Sequence, residues 1–183
     1  MKYFIPCLFL LTACQSEAEL LPHAQFASNL VDLCGQTFEG KVVSDDPEDA
    51  DWRNETLTVG PIDCSEVEVK MPLAVGEDQS RVWTIMPASA NKEWIKLTHI
   101  HTLKDGSPDP VSRYGGRTVN DGTAIRQEFP ADEFSKSLFR ENGLDASVGN
   151  VWALEITPDE LLAYELNREG RHFRAEFNLN DPS

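Results

Sequence analysis

From residue 36 onward, apolar and polar side chains alternate in short runs, each closed by turn-forming residues. Alternation with a period of two is the mark of a strand with one buried face. It predicts strands over 37–43, 55–60, 66–71, 81–86, 93–103, 113–119, 123–129, 151–156, 161–167 and 171–179. Between them stand Asp45-Asp46-Pro47, Gly60-Pro61, Gly76-Glu77-Asp78, Lys104-Asp105-Gly106, Asn120-Asp121-Gly122 and Arg168-Glu169-Gly170, sequences suited to tight turns. Closely spaced strands joined by hairpins predict an antiparallel meander, with no βαβ rhythm.

Two stretches depart from this rhythm. After Pro22, a favourable first residue of a helix, Phe26, Leu30, Leu33 and Cys34 recur at helical spacing, and Gly35 is a natural stop. A helix of about three turns should therefore lead into the domain. Between the later strands, Phe134, Leu138 and Phe139 share a helical stripe that ends near Asn142-Gly143. Thr157-Pro158-Asp159-Glu160 has the form of a capping box, but Leu162, Tyr164 and Leu166 alternate after it, so a turn and a strand are expected there. A leading helix, a long meander and a late helix over residues 22–179 resemble the up-and-down barrel of the lipocalin-like (calycin) proteins. The resemblance implies a mainly β barrel with a small apolar molecule inside. The segment from Tyr114-Gly115-Gly116 through Gln127-Glu128-Phe129-Pro130-Ala131-Asp132 is similar to a motif of exported bacterial proteins of no assigned activity.

The first residues follow another logic. Lys2 precedes an uncharged apolar run from Tyr3 to Ala13, too short for a membrane-spanning helix and suited to the core of a secretion signal. Its end, Leu11-Thr12-Ala13-Cys14, resembles the lipobox of bacterial lipoproteins. The resemblance implies cleavage before Cys14, a diacylglycerol on its thiol and a lipid anchor in the cell envelope. Gln15, which is not Asp, further implies transfer to the outer membrane, facing the periplasm. Residues 1–13 would be the signal, 14–21 a lipidated tether and 22–183 one domain, long enough for a real core.

Charge removes one class of partner. With 31 Asp and Glu against 16 Lys and Arg, the formal charge is −15, and it becomes more negative once Lys2 is cleaved off. Such a surface repels phosphate backbones, so no nucleic acid is expected. Of four cysteines, Cys7 leaves with the signal and Cys14 takes the lipid. Cys34 and Cys64 remain, and an exported pair is expected to be oxidised, closing a loop of 30 residues. The chain-entropy model gives such a bridge about 3.5 kcal/mol.

Candidate chemistry concentrates in the strand Trp94-Ile95-Lys96-Leu97-Thr98-His99-Ile100-His101-Thr102-Leu103. Alternation puts Ile95, Leu97, His99, His101 and Leu103 on the more apolar face, so two imidazoles should point inward, about 7 Å apart along the strand. Two imidazoles at that spacing suit a metal or haem, but such sites need a third ligand, and no Cys, Asp or Glu shares the face. His172 alternates against Phe173, Ala175 and Phe177 and should face solvent. The expectation is that His99 and His101, with Tyr164 as a further tentative contact, line a ligand cavity or its rim, with no metal and no cofactor. Arg113, Arg117 and Arg126 are notable in so acidic a chain, read as surface ion pairs with an anion site at a barrel mouth as the alternative. The acidic run from Asp45 to Asp51 lacks the glycine and closing glutamate of an EF-hand and reads as a solvated loop. No nucleophile elbow, P-loop or dinucleotide fingerprint occurs. Three functions stay open: a lipid-anchored module binding a small apolar or amphipathic ligand, an envelope lipoprotein with a packed core and a protein partner, and a metal- or haem-dependent enzyme using His99 and His101.

Overall fold

The computed structural model describes residues 21–88 and 93–182. Cys14 and the signal and tether expected around it lie outside the described residues. The chain enters through helix α1 (Pro22–Val31), with Pro22 at its first position and Gly35 in the left-handed region at φ 78° just beyond its end. Phe26 and Leu30 lie one helical turn apart on one face and are fully buried.

The strands are β1 (Phe38–Val42), β2 (Leu57–Val59), β3 (Asp63–Cys64), β4 (Val69–Val75), β5 (Asp78–Met86), β6 (Lys96–His101), β7 (Tyr114–Arg117), β8 (Arg126–Pro130), β9 (Val151–Thr157), β10 (Leu161–Arg168) and β11 (Arg171–Asn178). Among the described residues they form one antiparallel sheet in the order β7-β6-β5-β4-β2-β1-β11-β10-β9-β8, with β3 added beside β4. Apart from that short addition, neighbours in space are neighbours in the chain, and β11 returns to pair with β1. This is the expected up-and-down barrel, and all ten expected strands are present. Turn and strand, not a helix, follow Pro158, and Asp159 takes φ 56° in the turn.

The seam between β7 and β8 carries no regular ladder. It is closed by an isolated bridge between Gly116 and Ala131 and by the helix α3 (Glu133–Glu141). Asp132 caps α3 by accepting from the backbone N–H of Ser135. The Ser135 hydroxyl then bridges the broken seam: it donates to the carbonyl of Gly115 at 2.8 Å and accepts from the Gly115 N–H at 2.7 Å. A Cβ on Gly116 would lie 1.9 Å from the Pro130 carbonyl oxygen, so only glycine allows this approach. The stripe of α3 differs from the sequence expectation in one respect. Phe139 and Ser135 face the barrel, whereas Phe134 is exposed, because the serine bridge fixes the rotation of the helix.

Cys34 and Cys64 are bridged, tying the chain just after α1 to β3. The acidic run is largely exposed, as expected, but Asp49 is buried and the backbone is not irregular. It forms a 3-10 turn (Pro47–Asp49) and the short helix α2 (Ala50–Arg53), and three of its carboxylates turn toward Arg171.

Candidate functional site

The barrel interior divides into two halves. At the end covered by α1, the inward positions are Phe38, Leu57, Ile85, Leu97, Phe129, Leu154, Ile156, Leu162 and Phe177, all essentially without solvent exposure. The helix is held there by Asn29, which donates to the Ala124 carbonyl at 3.0 Å, and by His23 beside the Asn120 carbonyl. At the other end the same inward rows continue with aromatic and charged residues, and a cavity of about 400 Å³ opens between them.

His99 and His101 both contribute to this cavity, on the shared inward face expected for them. Leu103, assigned to the same face, lies past the end of β6 and is exposed. His99 is buried. Its Nδ1 faces the Tyr114 carbonyl at 3.3 Å, and its Nε2 lies 2.7 Å from the Tyr164 hydroxyl. A carbonyl can only accept, so Nδ1 carries the proton and Nε2 receives the hydrogen of the Tyr164 O–H. Burial pushes the His99 pKa down to about 3, with the neighbouring His101 charge adding to the effect and the Tyr114 carbonyl opposing it. His101, half-buried, shares a hydrogen bond of 3.0 Å between its Nε2 and the Tyr114 hydroxyl. Its pKa is lowered by burial and by the Arg81 guanidinium, against the pull of Asp109 and Asp78. Burial raises both phenols, Tyr114 to about 12 and Tyr164 well above its ordinary value. His99 and both phenols are therefore neutral at pH 7, with His99 paired to Tyr164 and the Tyr114 hydroxyl to His101 Nε2.

The rings reinforce this pairing. Tyr114 stacks on His99 with centroids 4.8 Å apart, and Trp83 stacks on Tyr164 across the barrel at 4.3 Å. Trp152 lies 4.9 Å from His99 and completes the wall. No group of three His, Cys, Asp or Glu side chains able to hold a metal occurs among the described residues.

The mouth of the cavity is lined by arginines that the sequence reading did not single out. Arg81 follows the inward row of Trp83 and Ile85, Arg168 that of Tyr164 and Leu166, and Arg171 that of Phe173 and Ala175. Arg171 is taken up by Asp46, Glu48 and Asp49, with its Nη1 2.9 Å from Asp49 Oδ2. Arg81 contacts Asp78 at 2.5 Å and lies over the Trp52 ring at 4.9 Å. Arg168 donates to Asn150 Oδ1 at 3.3 Å. The signal for all three was available as parity along each strand.

The arginines singled out from sequence lie elsewhere. Arg126 is on the outer wall, 2.7 Å from Glu165 and close to Glu128 and Glu155, an ion-pair network that Arg174 extends. Although burial opposes it, hydrogen bonding from Arg126, Arg174 and Asn167 holds the Glu165 carboxyl at about 2. Arg117 lies over Trp94, and Arg113 is exposed in the turn before β7 at φ 63°. Arg113, Arg117 and Arg126 are thus not among the residues that line the cavity, and Arg126 forms the surface ion pairs expected for it. His172 is exposed, hydrogen-bonded to Asn167 at 2.7 Å. Comparison of the chain with protein-family models, with curated proteins and with solved structures finds no match to any of them.

Proposed function

We propose that this protein is a membrane-anchored envelope lipoprotein whose barrel holds a small apolar or amphipathic ligand. The observation that carries the reading is the cavity of about 400 Å³, walled by stacked aromatic rings at one end of an otherwise filled barrel. A concave, mostly apolar site with a few convergent polar groups is what small-molecule recognition requires. His99, His101 and Tyr164 act as lining: His99 and Tyr164 are paired with each other and the His101 Nε2 with Tyr114, so they shape the wall. Anchoring rests on the lipobox resemblance at Leu11-Thr12-Ala13-Cys14.

Native mass spectrometry of the protein extracted from its own membrane tests both parts. The expected spectrum carries a diacylglycerol adduct on Cys14 and a second, non-covalent mass that is lost on activation. A bare protein mass without the non-covalent species, in a sample that also fails to quench its tryptophans with any apolar probe, refutes the ligand reading. Normal palmitate labelling of Cys14→Ser refutes the anchor.

A further inference from the structure

We propose that the ligand is an organic anion, a carboxylate-bearing molecule with an aromatic or short apolar body, whose head group is held at the cavity mouth by Arg168 and Arg81. This rests on the ligand-binding reading above and adds the charge and position of the head.

The unused hydrogen-bonding capacity of the cavity is one-sided. Deep in the chamber, both nitrogens of His99 are engaged, by the Tyr164 hydroxyl and the Tyr114 carbonyl, and the His101 Nε2 is shared with the Tyr114 hydroxyl. At the mouth the guanidinium groups offer donors only, five on each arginine. Arg168 uses one of its nitrogens on a neutral amide, and among the described residues no carboxylate oxygen lies within 4.0 Å of its nitrogens. Arg81 commits Nη1 to Asp78. Of the carboxylates at the mouth, Glu48 and Asp49 lie against Arg171 and Asp78 against Arg81, which leaves Arg168 as the guanidinium lining the mouth with no carboxylate contact among the described residues.

Position strengthens the case. An arginine at an inward-facing strand position in a chain of net charge −15 has many acidic partners available on the outer wall, as Arg126 and Arg174 show. Arg168 instead continues the row of Leu162, Tyr164 and Leu166 into the lumen. A planar fork at the mouth fits a carboxylate head whose ring or short chain lies in the cavity below it.

The test is calorimetric titration of the full-length protein in lipid nanodiscs, with empty nanodiscs as the blank, using 1-naphthylacetate, 1-naphthylacetamide and 1-naphthylethylamine. These share one ring system and differ in the charge of the head. The acid should bind about tenfold more tightly than the amide, and the amine most weakly. Arg168→Gln should erase the preference for the acid, read as the ratio of the acid's affinity to the amide's, with the amide still binding as the report that the cavity is intact. Arg168→Lys should retain part of the preference. Equal or tighter binding of the amide or amine by the unaltered protein overturns the anionic head and leaves the ligand reading standing. So does an undiminished acid preference in both Arg168→Gln and Arg81→Gln. Binding of none of the three overturns the two together.

Discussion

Mild acid should destabilise this protein through His99, and the size of the effect follows from the site. The folded protein holds His99 near pKa 3, whereas in the unfolded chain it titrates near 6.5. A histidine with a depressed folded pKa is neutral in both states above 6.5. Below that value the unfolded chain binds a proton that the native state refuses, so stability falls with pH from about 6.5 down to the folded pKa. For His99 alone the loss between pH 7 and pH 5 is about 2 kcal/mol, a sizeable part of a domain's total of roughly 5–15 kcal/mol. His101, also lowered, adds in the same direction. Glu165 cannot mimic the effect in this window: its folded pKa of about 2 lies below the unfolded carboxylate value near 4.3, so its stabilisation fades only under stronger acid. Urea unfolding at pH 7, 6 and 5, followed by tryptophan fluorescence with the disulfide kept oxidised, measures the slope. His99→Gln should lower stability at pH 7, since Tyr114 and Trp152 lose the ring packed against them, and should flatten the dependence by close to one proton. Equal stability at pH 5 and pH 7, or an unchanged slope in His99→Gln, would refute the burial of a neutral imidazole at this position.

Replacing Cys34 and Cys64 together by alanine should cost about 3.5 kcal/mol by loop entropy, read from chemical denaturation, and should loosen α1 first in amide hydrogen exchange. Gly116→Ala places a Cβ 1.9 Å from the Pro130 carbonyl oxygen and should cost about 3 kcal/mol, with faster amide exchange at β7 and β8; an exchange pattern unchanged there would contradict the seam. Arg171→Met strands the buried Asp49, whose remaining side-chain partner is the Ser44 hydroxyl at 3.1 Å, and should destabilise by about 3 kcal/mol, with Asp49→Asn recovering part of the loss in a double-mutant cycle.

The strands were legible because each buries one face, and burying one face writes a period of two into the sequence. His99 and His101 fell on the correct side of β6 for the same reason. The boundaries of α1 were set by Pro22 and Gly35, residues whose backbone preferences act locally. What escaped the sequence is non-local. Asp46, Glu48 and Asp49 look like a solvated acidic run until Arg171, more than a hundred residues away, is brought against them. The two-residue strand β3 has no room for a period. Tyr114 looked like one more strand residue, and only the pairing of β6 with β7 puts it opposite His99. The arginines of the mouth were readable by parity, but their ordinary role at surfaces drew attention to Arg126, which obeys that ordinary role.

Why one end of the barrel is filled and the other hollow follows from how its inward residues pair. Near α1, branched and aromatic side chains from opposite walls meet and exclude solvent. Toward the mouth, Trp83 and Tyr164 stack across the barrel at 4.3 Å and Tyr114 stacks on His99, so these rings form the floor and wall of the space that remains beyond them. A dry void of the size left, about 400 Å³, would cost roughly 10 kcal/mol at about 24 cal/mol per Å³. That approaches the whole stability of a domain, so the space cannot be a sealed packing defect; it must hold solvent or a ligand. Water finds fewer partners on the inner wall than its composition suggests, because His99 is bonded to Tyr164 and the His101 Nε2 to Tyr114. Poorly bonded water is displaced at little cost by an apolar group. The hydrogen bonds within the wall thus do more than stabilise it: by engaging His99, Tyr164 and one nitrogen of His101 with protein partners they make a histidine- and tyrosine-lined chamber less polar than its composition, which in the proposed reading leaves charge recognition to the arginines at its mouth.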